Sequence, residues 1–427
     1  MVVGGVGLLA VAGAKTGMLT YDAWPGVAAV GGGMLALHLL VRWRLPLADP
    51  YLLPIVSVLV SVGLVTLYRV SPELAKDQAI WVGVGAAVFA AVILVMPNHH
   101  MLERYRYIIG TVGVLLLVVT AIFGTRISGA KLWIEIGGGQ TIQLGEVSKV
   151  LIVIFLAGYL RERREVLAVP TERHLGLNLP AARHFGPMFV VLGAALALVG
   201  LLNDFGTALL FFGVFLAMLY LASGRATYVL VGAGLFAVGA AAVWAAVPRI
   251  QDRVDTWLQP FSDAQNTGYQ MVQSLYALAD GGLVGPGFGR GFLVKDDGSP
   301  VIPALQTDFI FSAIGAELGF IGAVAVICVF LLFAARGLAI AARANDGFSK
   351  LLAAGLTTVL ALQTIVILGG ITRLVPLTGV TLPFMSYGGS SVVTNFALVA
   401  ILLVISHRSR APWRERPPRL APAEDGS

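Results

Sequence analysis

Long apolar runs, broken by short polar stretches, fill most of this chain. They lie at about residues 2–14 (a partial run), 26–41, 51–68, 78–96, 107–125, 147–160, 187–202, 205–222, 227–247, 308–335, 351–370 and 390–406. A hydrocarbon core about 30 Å thick takes roughly 20 apolar residues of helix to cross. A spanning helix also satisfies its backbone N–H and C=O groups within itself. The runs do not alternate with a period of two, as the strands of a membrane barrel would. The pattern therefore predicts an all-α, polytopic integral membrane protein, with extra N-terminal helices in residues 1–45 and a ten-helix core in residues 46–407. No internal repeat is visible, which counts against a repeat-built transporter.

The polar stretches fall into two sets. One is rich in arginine: Arg42 and Arg44, Arg104 and Arg106, Arg161, Arg163, Arg164, Arg173 and Arg183, Arg225, then Arg336, Arg343 and Lys350. The tail, residues 408–427, adds Arg408, Arg410, Arg414, Arg416 and Arg419. Alternating crossings place all of these on one side, which the positive-inside rule makes cytoplasmic. The other set consists of three longer segments on the opposite side, 128–149, about 248–307 and 372–391. Ordered loops of that length at a surface are usually functional.

Composition narrows the reading. Apolar residues make up 57% of the chain and charged residues 12%, against about 25% charge in a soluble domain. The net charge of +6 sits in short loops between runs, which is a topology signal and not a nucleic-acid surface. A single cysteine, Cys328, excludes an intrachain disulfide. Met1 leads straight into apolar residues without a basic region, so no cleavable signal peptide is expected. His99 and His100 are paired on the cytoplasmic side, and no metal-ligand cluster is visible in the sequence.

Candidate chemistry concentrates in the three outer segments. The first carries Lys131 and Trp133, then Gln143, Glu146 and Lys149. Trp133 suits the headgroup level. Glu146 and Lys149, spaced i, i+3 where a helix enters the membrane, require partners or a polar cavity. Between two runs, Asn203-Asp204-Phe205-Gly206-Thr207 reads as a hairpin in which Gly206 permits a tight turn and Asp204 either caps the next helix or serves the site.

The long segment holds Tyr269, Gln270, Gln273 and Ser274, then a glycine run from Gly281 to Gly291 that includes Arg290. No strand precedes that run, so it is not a dinucleotide loop; its amides are expected to line a groove that admits an anion. Thr307 and Asp308 follow. Asp308 is expected in the first turn of a membrane helix, where the helix dipole would keep it ionised and available as a base. Glu317 lies nine residues on, about 13 Å deeper at 1.5 Å per residue, where a buried structural hydrogen bond is the preferred reading over a site role. In the third segment Arg373 suits a phosphate, and prolines with glycines around Ser386 exclude a continuous helix.

Taken in order, these motifs resemble the shape, elongation, division and sporulation (SEDS) family, the RodA and FtsW proteins. The resemblance covers about residues 50–407 and rests on Gly-Ala-Lys-Leu-Trp-Ile with Gln-Leu-Gly-Glu, Asp-Phe-Gly-Thr, Gly-Tyr-Gln with Gln-Ser-Leu, Thr-Asp-Phe-Ile-Phe with Glu-Leu-Gly, and Leu-Pro-Phe-Met-Ser-Tyr-Gly-Gly-Ser-Ser. It implies a peptidoglycan glycosyltransferase that polymerises lipid II on the outer face of the bacterial cytoplasmic membrane, beside a class B penicillin-binding protein. It also implies that Asp308 is the catalytic carboxylate. The extra leading helices and Arg373-Leu-Val-Pro-Leu-Thr-Gly look more like RodA, and so like cell elongation, than like FtsW. The chain departs from the family at Leu132, where arginine often stands, at Leu144 and Gly145, at Ala316 and at Asn203.

The implied reaction joins a sugar 4-hydroxyl to an anomeric carbon that carries undecaprenyl diphosphate. It needs a base for the hydroxyl and cations for the leaving group, but no covalent nucleophile. Asp308 fits the first role. Lys131, Lys149, Arg290 and Arg373 are candidates for the second, with Mg or Mn on the diphosphate an open alternative and no cofactor evident. Trp133 would pack on sugar or lipid, Tyr269, Gln270, Gln273 and Ser274 would bond the acceptor, and Glu146, Asp204 and Glu317 would order the cavity. Two rivals make different demands. A lipid II flippase needs polar residues across the spans, where mainly Gln363, Thr364 and Glu317 qualify; a noncatalytic scaffold for the penicillin-binding protein has no need of Asp308.

Overall fold

A computed structural model describes residues 24–96, 98–127, 130–137, 140–164, 172–174, 177–179 and 186–411, with the isolated positions 7 and 11. The partial run at 2–14, Arg183 and the tail arginines Arg414, Arg416 and Arg419 lie outside the described residues, as does the Arg173 side chain.

Helices follow the apolar runs. They are α1 (Trp24–Arg44), α2 (Leu52–Val70), α3 (Pro72–Val95), the short α4 (His100–Arg104), α5 (Arg106–Phe123), α6 (Leu144–Glu162), α7 (Gly186–Leu201), α8 (Phe205–Ser223), α9 (Ala226–Ala246), α10 (Pro248–Leu258), α11 (Tyr269–Asp280), α12 (Ile310–Arg343), α13 (Gly347–Ile371) and α14 (Gly389–Arg410). Eight of them are long and apolar enough to cross a membrane. The central helix α6 misses that criterion because it carries charges at both ends, Glu146 and Lys149 at one and Arg161 and Glu162 at the other.

Small residues set the packing. α6, α13 and α14 form the buried centre, with α14 against α3, α6 against α5, and α13 against α6, α8 and α12. Gly110 lies so close to Phe155 that an added Cβ would stand 2.8 Å from its ring, and Gly355 similarly admits Val153 and Met218. Close backbone approach at small residues is how helices gain dispersion contacts in lipid, where no hydrophobic drive separates helix from solvent. α9 is apolar nearly all round yet scarcely buried, as a lipid-facing helix should be.

Arginine-rich links meet at one end, Asp49 with Arg336 and Arg410 and Glu103 with Arg161, while the three long segments meet one another through Gln143 and Ser390, Thr307 and Ser386, and Trp257 and Arg373. At the arginine-rich end, Asp49 is buried between Arg336 and Arg410, and its backbone N–H donates to Ser406 Oγ at 3.0 Å. At the opposite end the first long segment folds as a three-stranded antiparallel sheet, β1 (Thr125–Ile127), β2 (Ala130–Gly137) and β3 (Gln140–Ile142). The second segment contributes α10, α11 and the glycine-rich loop.

α12 is longer than the run at 308–335 suggests, and it is broken. Gly319 sits at φ 65°, ψ −167° inside it. The glycine-rich loop repairs the break: Gly287 N–H donates to Glu317 O at 2.8 Å, and the Phe320 and Ile321 N–H groups donate to Gly282 O and Leu283 O at 2.9 and 3.0 Å. Backbone groups freed by a kink inside a membrane protein must find such partners.

Candidate functional site

Asp308 is placed by backbone and not by a helix. It stands two residues before α12 begins, and its N–H donates to Ala304 O at 3.0 Å, with Ala304 in the left-handed region at φ 56°. The third segment grips the same turn. Ser386 Oγ accepts from Leu382 N–H at 2.9 Å and donates to Thr307 O at 2.5 Å, and Tyr387 N–H donates to Gln306 O at 2.8 Å. Gln78 of α3 then holds the third segment, donating to Ser386 O at 3.1 Å and accepting from Gly388 N–H at 3.1 Å. Ser386 and Thr307 thus set the height of the carboxylate. Gly379 passes beside it in the left-handed region at φ 70°, and a Cβ there would stand in ordinary contact, 3.7 Å from Asp308 Oδ2.

The dipole argument for Asp308 is therefore overturned. The residue lies outside the helix's first turn, and partial burial pushes its pKa from the ordinary 3.8 up to about 6, against the opposing pull of Thr307 and Arg253. A carboxyl that titrates just below neutrality is a better general base than one held far below it.

Arg253, which lies in no sequence motif, comes from α10. This amphipathic helix lies across the site, and Arg253 feels both Asp308 and Asp204 while its own pKa is lowered first by burial and then by Arg249. Asp204 is the N-cap of α8 and accepts from Thr207 N–H at 3.0 Å. Burial raises its pKa. The turn there is made by Asn203 at φ 60°. Gly206 has a different role from the one expected, since a Cβ would meet Val380 at 2.6 Å and Thr378 O at 2.9 Å, so it admits the third segment against α8.

Glu146 and Lys149 partner each other. They are buried at the head of α6 and paired at 2.9 Å, and Lys149 Nζ also donates to Gln363 Oε1 at 2.8 Å. Gln363 Nε2 in turn donates to Thr381 O at 2.8 Å. A polar chain thus runs from α6 through α13 into the third segment, below Asp204, which feels both charges.

Several candidates are spent on the scaffold. Lys131 Nζ donates to Ala121 O and Ile122 O at 2.5 and 3.0 Å and so caps the end of α5. Arg373 donates to Trp257 O and Leu258 O at 3.0 and 3.1 Å, while Trp257 Nε1 donates back to Arg373 O at 3.0 Å. That clasp fixes the end of α10 and leaves Arg373 less suited to phosphate than its type suggests. Trp133 lies in β2, opposite Thr125. The Gln143 N–H donates to Ser390 Oγ at 2.8 Å. Tyr269 and Gln270 reach Val301 O and Pro303 O at 3.3 and 3.4 Å, Ser274 meets Ser312 Oγ at 2.7 Å, and Gln273 is half-buried beside them. Arg290 is exposed.

Nor does the glycine run await an anion from outside. Its amide at Gly289 donates to Glu317 Oε1 at 3.1 Å, and the same oxygen accepts from Arg69 Nε at 3.1 Å. Arg69 Nη2 adds Gly291 O at 3.0 Å. Glu317 is fully buried, and these bonds commit its Oε1 to the scaffold. Among the described residues, the one group of three metal-ligating side chains is His99, His100 and Asp346, at the far end of the bundle.

Comparison with known proteins places this geometry. The model of the FtsW, RodA and SpoVE family, described as cell cycle protein, matches residues 47–411. The chain is 40% identical over 398 residues to the peptidoglycan glycosyltransferase RodA of Mycobacterium tuberculosis (strain ATCC 25618 / H37Rv), covering 90% of this chain and 83% of that one. A chain from a peptidoglycan synthase complex, described as coordinating polymerisation and crosslinking, superimposes with a TM-score of 0.70 at 25% identity, over 86% of this chain and 99% of its own. The crystal structure of the Thermus thermophilus rod shape determining protein RodA has the same fold, with a TM-score of 0.61 at 24% identity over 86% of this chain and 98% of its own.

Proposed function

The chain belongs to the FtsW, RodA and SpoVE family of cell cycle proteins, and we propose that Asp308 is the general base with which it polymerises lipid II. It is a multi-pass membrane protein and a peptidoglycan glycosyltransferase. The observation that carries the residue assignment is the position of the Asp308 carboxyl: partly open to solvent, tuned to about 6, and facing Arg253 at the end of the bundle that gathers the long segments.

In the proposed step Asp308 takes the proton of the acceptor 4-hydroxyl as its oxygen bonds the donor's anomeric carbon. The bond from that carbon to the phosphate oxygen breaks, its electron pair leaves with undecaprenyl diphosphate, and the anomeric centre inverts. Base catalysis contributes about 10²–10⁴-fold, and the remainder comes from aligning two lipid-anchored substrates. Arg253 takes the leading cationic role, because Lys131 and Arg373 are committed to backbone carbonyls and Lys149 to Glu146 and Gln363. Arg290 remains available at the rim. A Mg or Mn ion would be held chiefly by the diphosphate, with Asp308 able to offer a carboxylate oxygen. The site faces the outside of the cytoplasmic membrane, the C-terminus lies in the cytoplasm, the partner is a class B penicillin-binding protein, and the process served is cell elongation. The arginine-rich far end and the named relatives support this placement.

The test is polymerisation of lipid II by purified protein, with and without its penicillin-binding partner, comparing wild type with Asp308→Ala and Asp308→Asn. Glycan strands from wild type and none from either folded variant are expected. Equal strands from all three would move the base elsewhere, with Asp204 next in line. A complete absence of strands with the partner bound would call for a lipid II flipping assay.

A further inference from the structure

A second polar cluster sits at the end of the bundle away from Asp308. The link after α3 presents His99 and His100, and the N-cap of α13 presents Asp346. One donor atom from each lies within 4.8 Å of the others. His100 Nε2 is 3.6 Å from Asp346 Oδ2.

Ser349 ties the set together. Its hydroxyl is 2.6 Å from Asp346 Oδ2 and 2.5 Å from His99 Nε2. A hydroxyl has one proton to give. With that proton on the carboxylate, His99 donates from Nε2 and its Nδ1 keeps a bare lone pair. That Nδ1 is buried and has no hydrogen-bond partner, in a residue only 2% exposed. A buried polar atom without a partner calls for an explanation, and a bound ion is among the usual ones.

We propose that His99, His100 and Asp346 form a site for a divalent transition metal of the zinc class, which staples the link after α3 to the head of α13. Imidazole and carboxylate together suit such ions. The outer partners are already in place. Glu103 Oε2 lies 3.3 Å from His100 Nδ1 and orients that ring, as carboxylates commonly do behind ligating histidines. Phe348 stacks on the His99 ring and lies tilted against the His100 ring, with centroids at 6.3 and 6.0 Å, and gives the cluster an apolar wall. Arg161 is paired to Glu103 at 2.8 Å, so the local cations are Arg408 and an arginine already offset. Asp346 and Glu103 supply the negative charge a dication needs. This inference is independent of the polymerase reading, since the cluster shares no residue with the Asp308 site.

The experiment uses the full chain without a polyhistidine tag, stripped with chelator in detergent micelles and titrated with Co²⁺ while the visible ligand-field absorption is followed. One Co²⁺ per chain is expected, displaced by Zn²⁺. Both His100→Ala and Asp346→Asn should weaken binding by about tenfold or more. Neither variant threatens the fold, since His100 is half-exposed and asparagine caps a helix as well as aspartate. Failure to saturate, or equal binding by wild type and both variants, would mean an adventitious ion only and would overturn the proposal.

Discussion

Asp308→Asn should make this protein more stable while it stops the chemistry. The folded state raises the Asp308 pKa from 3.8 to about 6. At 1.36 kcal/mol per pKa unit, ionising that carboxyl in the fold costs about 3 kcal/mol. The carboxyl is partly open to solvent, so screening lowers the figure to about 1–2 kcal/mol. The sign follows from the two titrations. Below pH 3.8 the group is protonated folded or unfolded and costs nothing. Between 3.8 and 6 the unfolded chain ionises first, so the wild type loses stability as pH rises. Above 6 both states are ionised and the full cost is present. Asparagine never ionises and escapes it. Unfolding by SDS titration in mixed micelles should show the variant ahead by about 1–2 kcal/mol at pH 7.5, with the gap shrinking to about a third at pH 4.5. A gap independent of pH, or a variant less stable at pH 7.5, would refute the reasoning. Stability gained by removing a catalytic group is the trade that strained sites make.

Two further outcomes follow from the same geometry. The kcat/KM of lipid II polymerisation should rise through pH 6 as Asp308 loses its proton, lying about tenfold below its plateau at pH 5; Arg253→Gln, which removes a cation that lowers that pKa, should move the midpoint upward, and an unmoved midpoint would separate Arg253 from the base. Lys149→Met leaves Glu146 buried without a countercharge and should cost about 3–5 kcal/mol, most of it recovered when Glu146→Gln is added, whereas additive losses in the double-mutant cycle would show that the pair is not coupled.

The spans were legible because the bilayer imposes one length on every helix, and the apolar runs from 26–41 onward each became one. The buried partners were not. Glu146 and Lys149 announced each other by spacing, but Gln363, which completes their chain, lies 214 residues from Lys149. The glycine run looked like an anion cradle because its amides are real donors; what the sequence hid is that their anion is Glu317, brought within reach only by the break at Gly319. Arg253 belongs to no motif, although Ile250, Val254, Trp257 and Leu258 share one helical face and signal an amphipathic helix across a surface. Asp308 is singled out by its neighbours in sequence, which suggest a helix turn that it does not occupy. Burial outweighed the dipole, and burial is a property of the assembled loops.

The break in α12 has a mechanical consequence. A continuous helix resists bending along its whole length, but this one is two struts joined at Gly319, with the glycine-rich loop bonded to the strut above through Gly287 and to the strut below through Gly282 and Leu283. The loop is a splint. Sliding it along the axis would alter the angle between struts and tip the upper one, whose head adjoins Asp308. A load applied outside the membrane, by a growing strand or a docked neighbour, would thus be delivered at Asp308, the proposed base.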